Sequence, residues 1–258
     1  MFRFFNSLKI NLVLCYALAA PAAVLAQTPT PAAQKAADEA YHRQQEYLLH
    51  NDWPNLARYA TANQRLPTPA AATRVVLIGN SIIEGWVKAD SAFFAGQPYA
   101  YIGRGISGQT SGQLLLRFRQ DVINLHPTVV VLLVGINDVA ENSGPYTPKN
   151  TLNNLLTMVE LAQAHAIRVV LCSVTPAADF WWHKGLNPGP KIVALNQQIK
   201  AYADQHHLTY LDYHTALADE QQGLKKAYGS DGVHPNLAGY RVIEPLLNQA
   251  VAATLKQQ

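Results

Sequence analysis

From Arg74 onward, runs of apolar residues alternate with stretches whose apolar positions recur every three to four residues. The runs at 74–78, 99–102, 128–134, 168–174 and 208–212 predict strands. The stretches near 109–124, 148–165, 190–206 and 236–256 predict helices. The run from Thr128 to Val134 is apolar almost throughout, so it predicts a central strand covered on both faces. Strands alternating with helices imply a parallel sheet with helices on both sides, an α/β fold built as a three-layer α/β/α sandwich. The expected strand order is 2-1-3-4-5. That order puts the carboxyl ends of strands 1 and 3 beside the crevice where such sheets bind ligands.

The segment before Arg74 reads differently. Asp38 to about Leu49 predicts a helix with Tyr41, Tyr47, Leu48 and Leu49 on its apolar side. Asp52-Trp53-Pro54 breaks it, and a short helix follows around 55–63. Residues 38–70 are thus expected to be a helical extension packed on one domain, 71–258. Neither an internal repeat nor a second domain is visible. Residues 27–37, with Thr-Pro-Thr-Pro and alanines, predict a flexible linker.

Residues 1–26 have the form of an export signal. Arg3 and Lys9 precede the apolar stretch Ile10 to Ala20, and Val24-Leu25-Ala26 is a small-residue cleavage site, with the cut expected before Gln27. The expected location is periplasmic or extracellular; an uncleaved anchor is the alternative. Lipid attachment at Cys15 is disfavoured, since that cysteine lies inside the apolar stretch.

Of the 258 residues, 20 are Lys or Arg and 17 are Asp or Glu. Cleavage removes Arg3 and Lys9 and no acidic residue, so the mature chain is nearly neutral. It has no basic stripe for nucleic acid and no segment for stable membrane insertion. Only Cys172 survives cleavage, so the domain has no internal disulfide and must rely on its core.

Small and polar residues gather at the strand ends. Strand 1 ends in Gly79-Asn80-Ser81, strand 2 leads into Gly105-Ile106-Ser107-Gly108-Gln109-Thr110, and strand 3 ends in Gly135-Ile136-Asn137-Asp138. A serine hydroxyl needs an adjacent base to attack at neutral pH. Asp231 and His234, three apart around Gly232, can supply a base and its orienting carboxylate from one loop. Backbone N–H groups of Ser81 and Gly108 and the amide of Asn137 are candidate oxyanion donors.

These blocks, in this order, resemble the SGNH hydrolases, also called GDSL-type esterases. The matching blocks are Ile78-Gly79-Asn80-Ser81-Ile82, Ile106-Ser107-Gly108-Gln109-Thr110, Gly135-Ile136-Asn137-Asp138 and Asp231-Gly232-Val233-His234-Pro235, and the resemblance spans about 74 to 245. It implies a nucleophile at Ser81, oxyanion donors at Ser81, Gly108 and Asn137, and a His234–Asp231 pair, with neither cofactor nor metal. Residues 79–86 also resemble the exported platelet-activating-factor acetylhydrolase-like and carbohydrate acetylesterase branches. That resemblance implies a small-molecule or carbohydrate ester as substrate and a short, acetyl-type acyl group. Two positions depart from the pattern. Asn80 stands where many members have Asp, and Gln109 replaces a common Asp.

Four further residues are candidates for substrate contact. Trp181 and Trp182 lie in a Gly- and Pro-rich loop after strand 4, and either stack on substrate or fold back on the core. Arg104 either contacts a polar substrate group or sits on the surface, and Asn80 flanks the serine. Ser107, Ser111 and Ser173 read as turn, cap or strand residues, and Asp138 as the cap of the next helix. His206-His207 reads as solvated, and no His/Asp/Glu cluster has zinc spacing. The rival to an esterase is a non-catalytic sugar- or phosphate-binding protein on the same flavodoxin-like sheet.

Overall fold

A computed structural model describes residues 30–67, 73–96 and 98–257. The expected leader and its cleavage point lie outside the described residues. Five parallel strands form one sheet in the order β2-β1-β3-β4-β5. They are β1 (Arg74–Gly79), β2 (Ala100–Gly105), β3 (Val129–Leu132), β4 (Arg168–Cys172) and β5 (Thr209–Leu211). This is the order expected from the sequence. Val75 to Ile78 of β1 and Val129 to Leu132 of β3 are buried. Burying each such side chain contributes about 1.5–3 kcal/mol, so this pair of strands anchors the core.

Helices cover both faces. On one side pack α3 (Ser81–Ala89), α4 (Ser91–Ala95) and α10 (Leu237–Lys256); on the other pack α5 (Ser111–Asp121), α7 (Pro148–Ala164) and α8 (Pro188–Gln205). Short helices α6 (Ile136–Val139) and α9 (Tyr213–Leu217) follow β3 and β5. No helix among the described residues is long and apolar enough to cross a membrane.

Helix α3 begins directly at the end of β1. Asn80 stays extended, and its Oδ1 accepts the Ile82 N–H at 3.0 Å, which caps the first turn. Ile82, Ile83 and Trp86 bury the inner face of the helix. Trp86 is sandwiched between Phe93 and Tyr240, with ring centroids 5.4 and 5.3 Å away. Serine 81 therefore stands at a helix N-terminus on a rigid base.

The segment before β1 departs from expectation. Helix α1 spans Pro31–Asn51, so residues 31–37 are helical rather than linker. Proline suits the first helical turn, alanines favour the helix, and the Thr30 hydroxyl accepts the Ala33 N–H at 3.2 Å. A second helix, α2 (Ala57–Gln64), lies where a short helix was expected. Asp52 breaks the chain between them and accepts the Leu56 and Ala57 N–H groups.

Candidate active site

Ser81, His234 and Asp231 form one hydrogen-bonded row. Ser81 Oγ lies 2.8 Å from His234 Nε2, and His234 Nδ1 lies 2.6 Å from Asp231 Oδ2. The loop that carries the last two organises itself. Asp231 Oδ1 accepts the backbone N–H groups of Val233 and His234 at 2.9 and 2.8 Å. Gly232 makes the turn at φ +80°, a conformation that glycine adopts without strain. Burial raises the Asp231 pKa, but the hydrogen bonds from His234 and Val233 outweigh it and hold the carboxyl below its ordinary value. Asp231 is thus a carboxylate at neutral pH. A carboxylate at this distance can hold a proton on Nδ1, an arrangement that would leave Nε2 as an acceptor toward Ser81.

The two other strand ends converge on the serine turn. β1 is paired with β2 on one side and β3 on the other, with Gly79 beside Gly105 and Ile78 beside Leu132. Gly108 lies in the loop after β2, and its N–H has no acceptor among the described residues. Asn137, the second residue of α6, is buried; its Nδ2 donates to the Gln109 carbonyl at 2.9 Å and keeps a second N–H. The Ser81 N–H is at the first position of α3, where helices leave the donor unused.

Trp182 lies beside this row. Its ring centroid is 6.3 Å from that of His234, and its Nε1 donates to Asn142 Oδ1 at 3.0 Å. Asn142 in turn donates to the Gly108 carbonyl at 3.2 Å. Trp181 stands edge-on to Trp182 and is 63% exposed, whereas Phe180 is buried beneath them. The two tryptophans therefore part company, with Trp182 half-buried against the core and Trp181 facing solvent.

Two expectations need correction. Arg104 neither reaches the crevice nor sits on the surface. It is buried, with Nε donating to Asn63 Oδ1 at 2.8 Å and its guanidinium over the Tyr59 ring. The segment around α2 covers it, which strand periodicity could not reveal. Asn80 is buried, and its Oδ1 is committed to the cap of α3. Asp138 is not a simple helix cap. It accepts from Ser111 N–H at 2.9 Å, from the Ser111 hydroxyl and from Thr151 Oγ1 at 3.1 Å, joining α5 to α7. Burial pushes its pKa up against those hydrogen bonds.

Sequence reasoning missed two residues that shape the site. Glu84 on α3 accepts both the N–H and the hydroxyl of Ser107 at 2.8 and 2.6 Å, which holds the loop leading to Gly108. Burial opposes its charge, but Ser107, Lys88 and Arg58 bring its pKa down to about 2. Its place in the 79–86 block was the available signal. Arg117 is fully buried under the serine turn, where Nη2 donates to the carbonyls of Gly79 and Arg104 at 2.9 and 2.8 Å. Its charge is balanced by Asp121 at 2.9 Å. A lone arginine on an amphipathic helix gives no sequence signal of this role.

The architecture agrees with comparison to known proteins. Residues 77–242 match the model of the GDSL-like Lipase/Acylhydrolase family, and the chain belongs to that family. A solved Bacteroides fragilis protein assigned to the acylhydrolases is 47% identical. It covers 80% of this chain and all of its own, with a TM-score of 0.77. A GDSL-like lipase from Bacteroides thetaiotaomicron is 46% identical over 78% of this chain and 99% of its own, with a TM-score of 0.75. Among curated proteins, esterase TesA of Pseudomonas aeruginosa is 27% identical over 202 residues, which is 74% of this chain and 92% of that protein. The chain is a carboxylic ester hydrolase, and small-molecule esters are its substrate class.

Proposed function

We propose that the protein is an exported serine esterase that removes short acyl groups, acetyl above all, from carbohydrate esters. The observation that carries the mechanism is the continuous row Ser81 Oγ–His234 Nε2–Nδ1–Asp231 Oδ2, with its 2.8 and 2.6 Å links. In this reading His234 takes the Ser81 proton as Oγ bonds to the ester carbonyl carbon. The resulting oxyanion rests on the N–H groups of Ser81 and Gly108 and on the Asn137 amide. Collapse breaks the ester C–O bond, and the leaving alkoxide takes the proton from His234. Water, deprotonated by the same imidazole, then hydrolyses the acyl-enzyme and frees Ser81.

The imidazole must face the leaving oxygen, so a group beside His234 abuts the alcohol half of the ester. Trp182 is that group, and its apolar ring face suits a pyranose or another ring. Export rests on the basic and apolar pattern of residues 1–26.

A serine-directed organophosphonate tests the nucleophile. Intact mass should show one adduct on the full chain and none on Ser81→Ala. No adduct, together with no turnover of p-nitrophenyl acetate, removes Ser81 from the chemistry. Acetate release from acetylated xylan, compared with p-nitrophenyl esters of graded chain length, tests the substrate class.

A further inference from the structure

Gln109, one of the two positions that depart from the family pattern, has every polar group occupied. It is buried, and its backbone N–H donates to the Ile106 carbonyl at 3.3 Å. Its backbone carbonyl receives the Asn137 amide at 2.9 Å. Its side-chain Oε1 accepts from Arg117 Nε at 2.6 Å, and its Nε2 donates to the Pro54 carbonyl at 2.7 Å. The residue thus stands between the two proposed oxyanion donors, Gly108 and Asn137. One end is gripped by the guanidinium that also ties Gly79 to Arg104; the other is gripped by the segment before β1.

That segment holds the same region at further points. Gln113 Nε2 donates to the Trp53 carbonyl at 2.9 Å, and Tyr59 Oη donates to the Gly105 carbonyl at 2.5 Å. A side chain meeting a donor at one end and an acceptor at the other must carry both functions, as an amide does. An aspartate there has no donor for Pro54 and is a methylene shorter.

We infer that Gln109 is a positioning residue, which sets the spacing of the Gly108 N–H and the Asn137 amide by bracing their loop between Arg117 and Pro54. The inference rests on the proposal that these two groups stabilise the oxyanion. Donors misplaced by about 1 Å lose up to roughly a hundredfold in rate. Binding of the ground-state ester depends little on them.

The test compares the full chain with Gln109→Met, Asn137→Ala and the double variant on p-nitrophenyl acetate. Gln109→Met should lower kcat about 10- to 100-fold with KM within about threefold. The double variant should lose much less than the product of the two single losses, because both act on one hole. A kcat for Gln109→Met within about twofold of the parent, a loss confined to KM, or a full product in the double variant overturns the inference. Should the methionine variant not fold, Gln109→Asn decides in its place. It keeps the amide but cannot reach Arg117 and Pro54 together, and an unchanged kcat overturns the inference. Full kcat in Asn137→Ala alone is a separate result: it fails the oxyanion proposal, and the inference falls with it.

Discussion

Tyr240 Oη donates to the Ile82 carbonyl at 2.9 Å, tying the helix that starts at Ser81 to the helix that follows His234. Gly85 makes this contact possible. A Cβ placed there would lie 2.8 Å from Tyr240 Oη and 4.0 Å from its Cζ, so the hydroxyl alone excludes a larger residue.

Gly85→Ala is therefore expected to destabilise the fold by about 1–3 kcal/mol through overpacking. Tyr240→Phe alone should cost about 1 kcal/mol for the lost hydrogen bond. Together they should not add. With the hydroxyl gone, alanine fits and favours the helix by up to about 1 kcal/mol over glycine. Urea denaturation of the four proteins checks this, and additive costs would refute the overlap.

Asp231→Asn separates the two tasks of that carboxylate. Asparagine Oδ1 can still receive the Val233 and His234 N–H groups, so the loop should persist and the melting temperature change little. Its amide nitrogen would then face His234 Nδ1 and favour the wrong tautomer. A loss in kcat of about 10³–10⁴ is expected. Parent-level turnover of p-nitrophenyl acetate by the folded variant would show that the ring contact has no part in catalysis.

Trp182→Ala should discriminate among alcohols. For acetates of aryl alcohols or pyranosides, kcat/KM should fall about tenfold, the worth of one aromatic packing contact. For ethyl acetate the change should stay within about threefold, since no ring meets the indole. An equal loss on both substrates would mean that the ring acts only by holding the loop.

Glu84 makes a prediction for acid stability. Its pKa is about 2 in the folded protein against an ordinary 4.5, so folding favours the charged form. Its stabilisation is fully present above about pH 4.5 and is lost as pH falls toward about 2. Glu84→Gln should be less stable than the parent at pH 7 and should show a shallower decline across that window. Parallel curves from chemical denaturation at a series of pH values would exclude the effect.

The sheet was legible because its buried strands are uninterrupted apolar runs, and parallel strands covered on both faces have no other pattern available. Strand ends were less so. The run 128–134 overshoots β3, because Leu133 and Val134 remain buried after regular pairing ends at Leu132. Helix α3 was not foreseen. Ile82 and Ile83 are modest helix formers and Gly85 a poor one, and what secures the helix is the Asn80 cap and the burial of Trp86.

The site divides in the same way. Ser81, Asp231 and His234 stood out because their chemistry needs few residue types at the ends of recognisable strands. The roles of Arg104, Arg117 and Gln109 did not, because their partners are backbone carbonyls or residues distant in sequence. A polar side chain that binds the Gly79 or Pro54 carbonyl leaves no pattern along the chain. Long polar residues on amphipathic elements read as solvent-facing until the segment that covers them is placed.

The loop from Ser230 to Asn236 carries both Asp231 and His234, and the Asp231 carboxylate closes the turn between them. The two residues are therefore one mechanical part. Any displacement of that loop would carry the carboxylate and the imidazole together, because the serine turn, Gly108 and Asn137 belong to other segments. In the proposed mechanism the base and the group that orients it thus depend on one short turn, and the geometry of that turn is set by a single carboxylate.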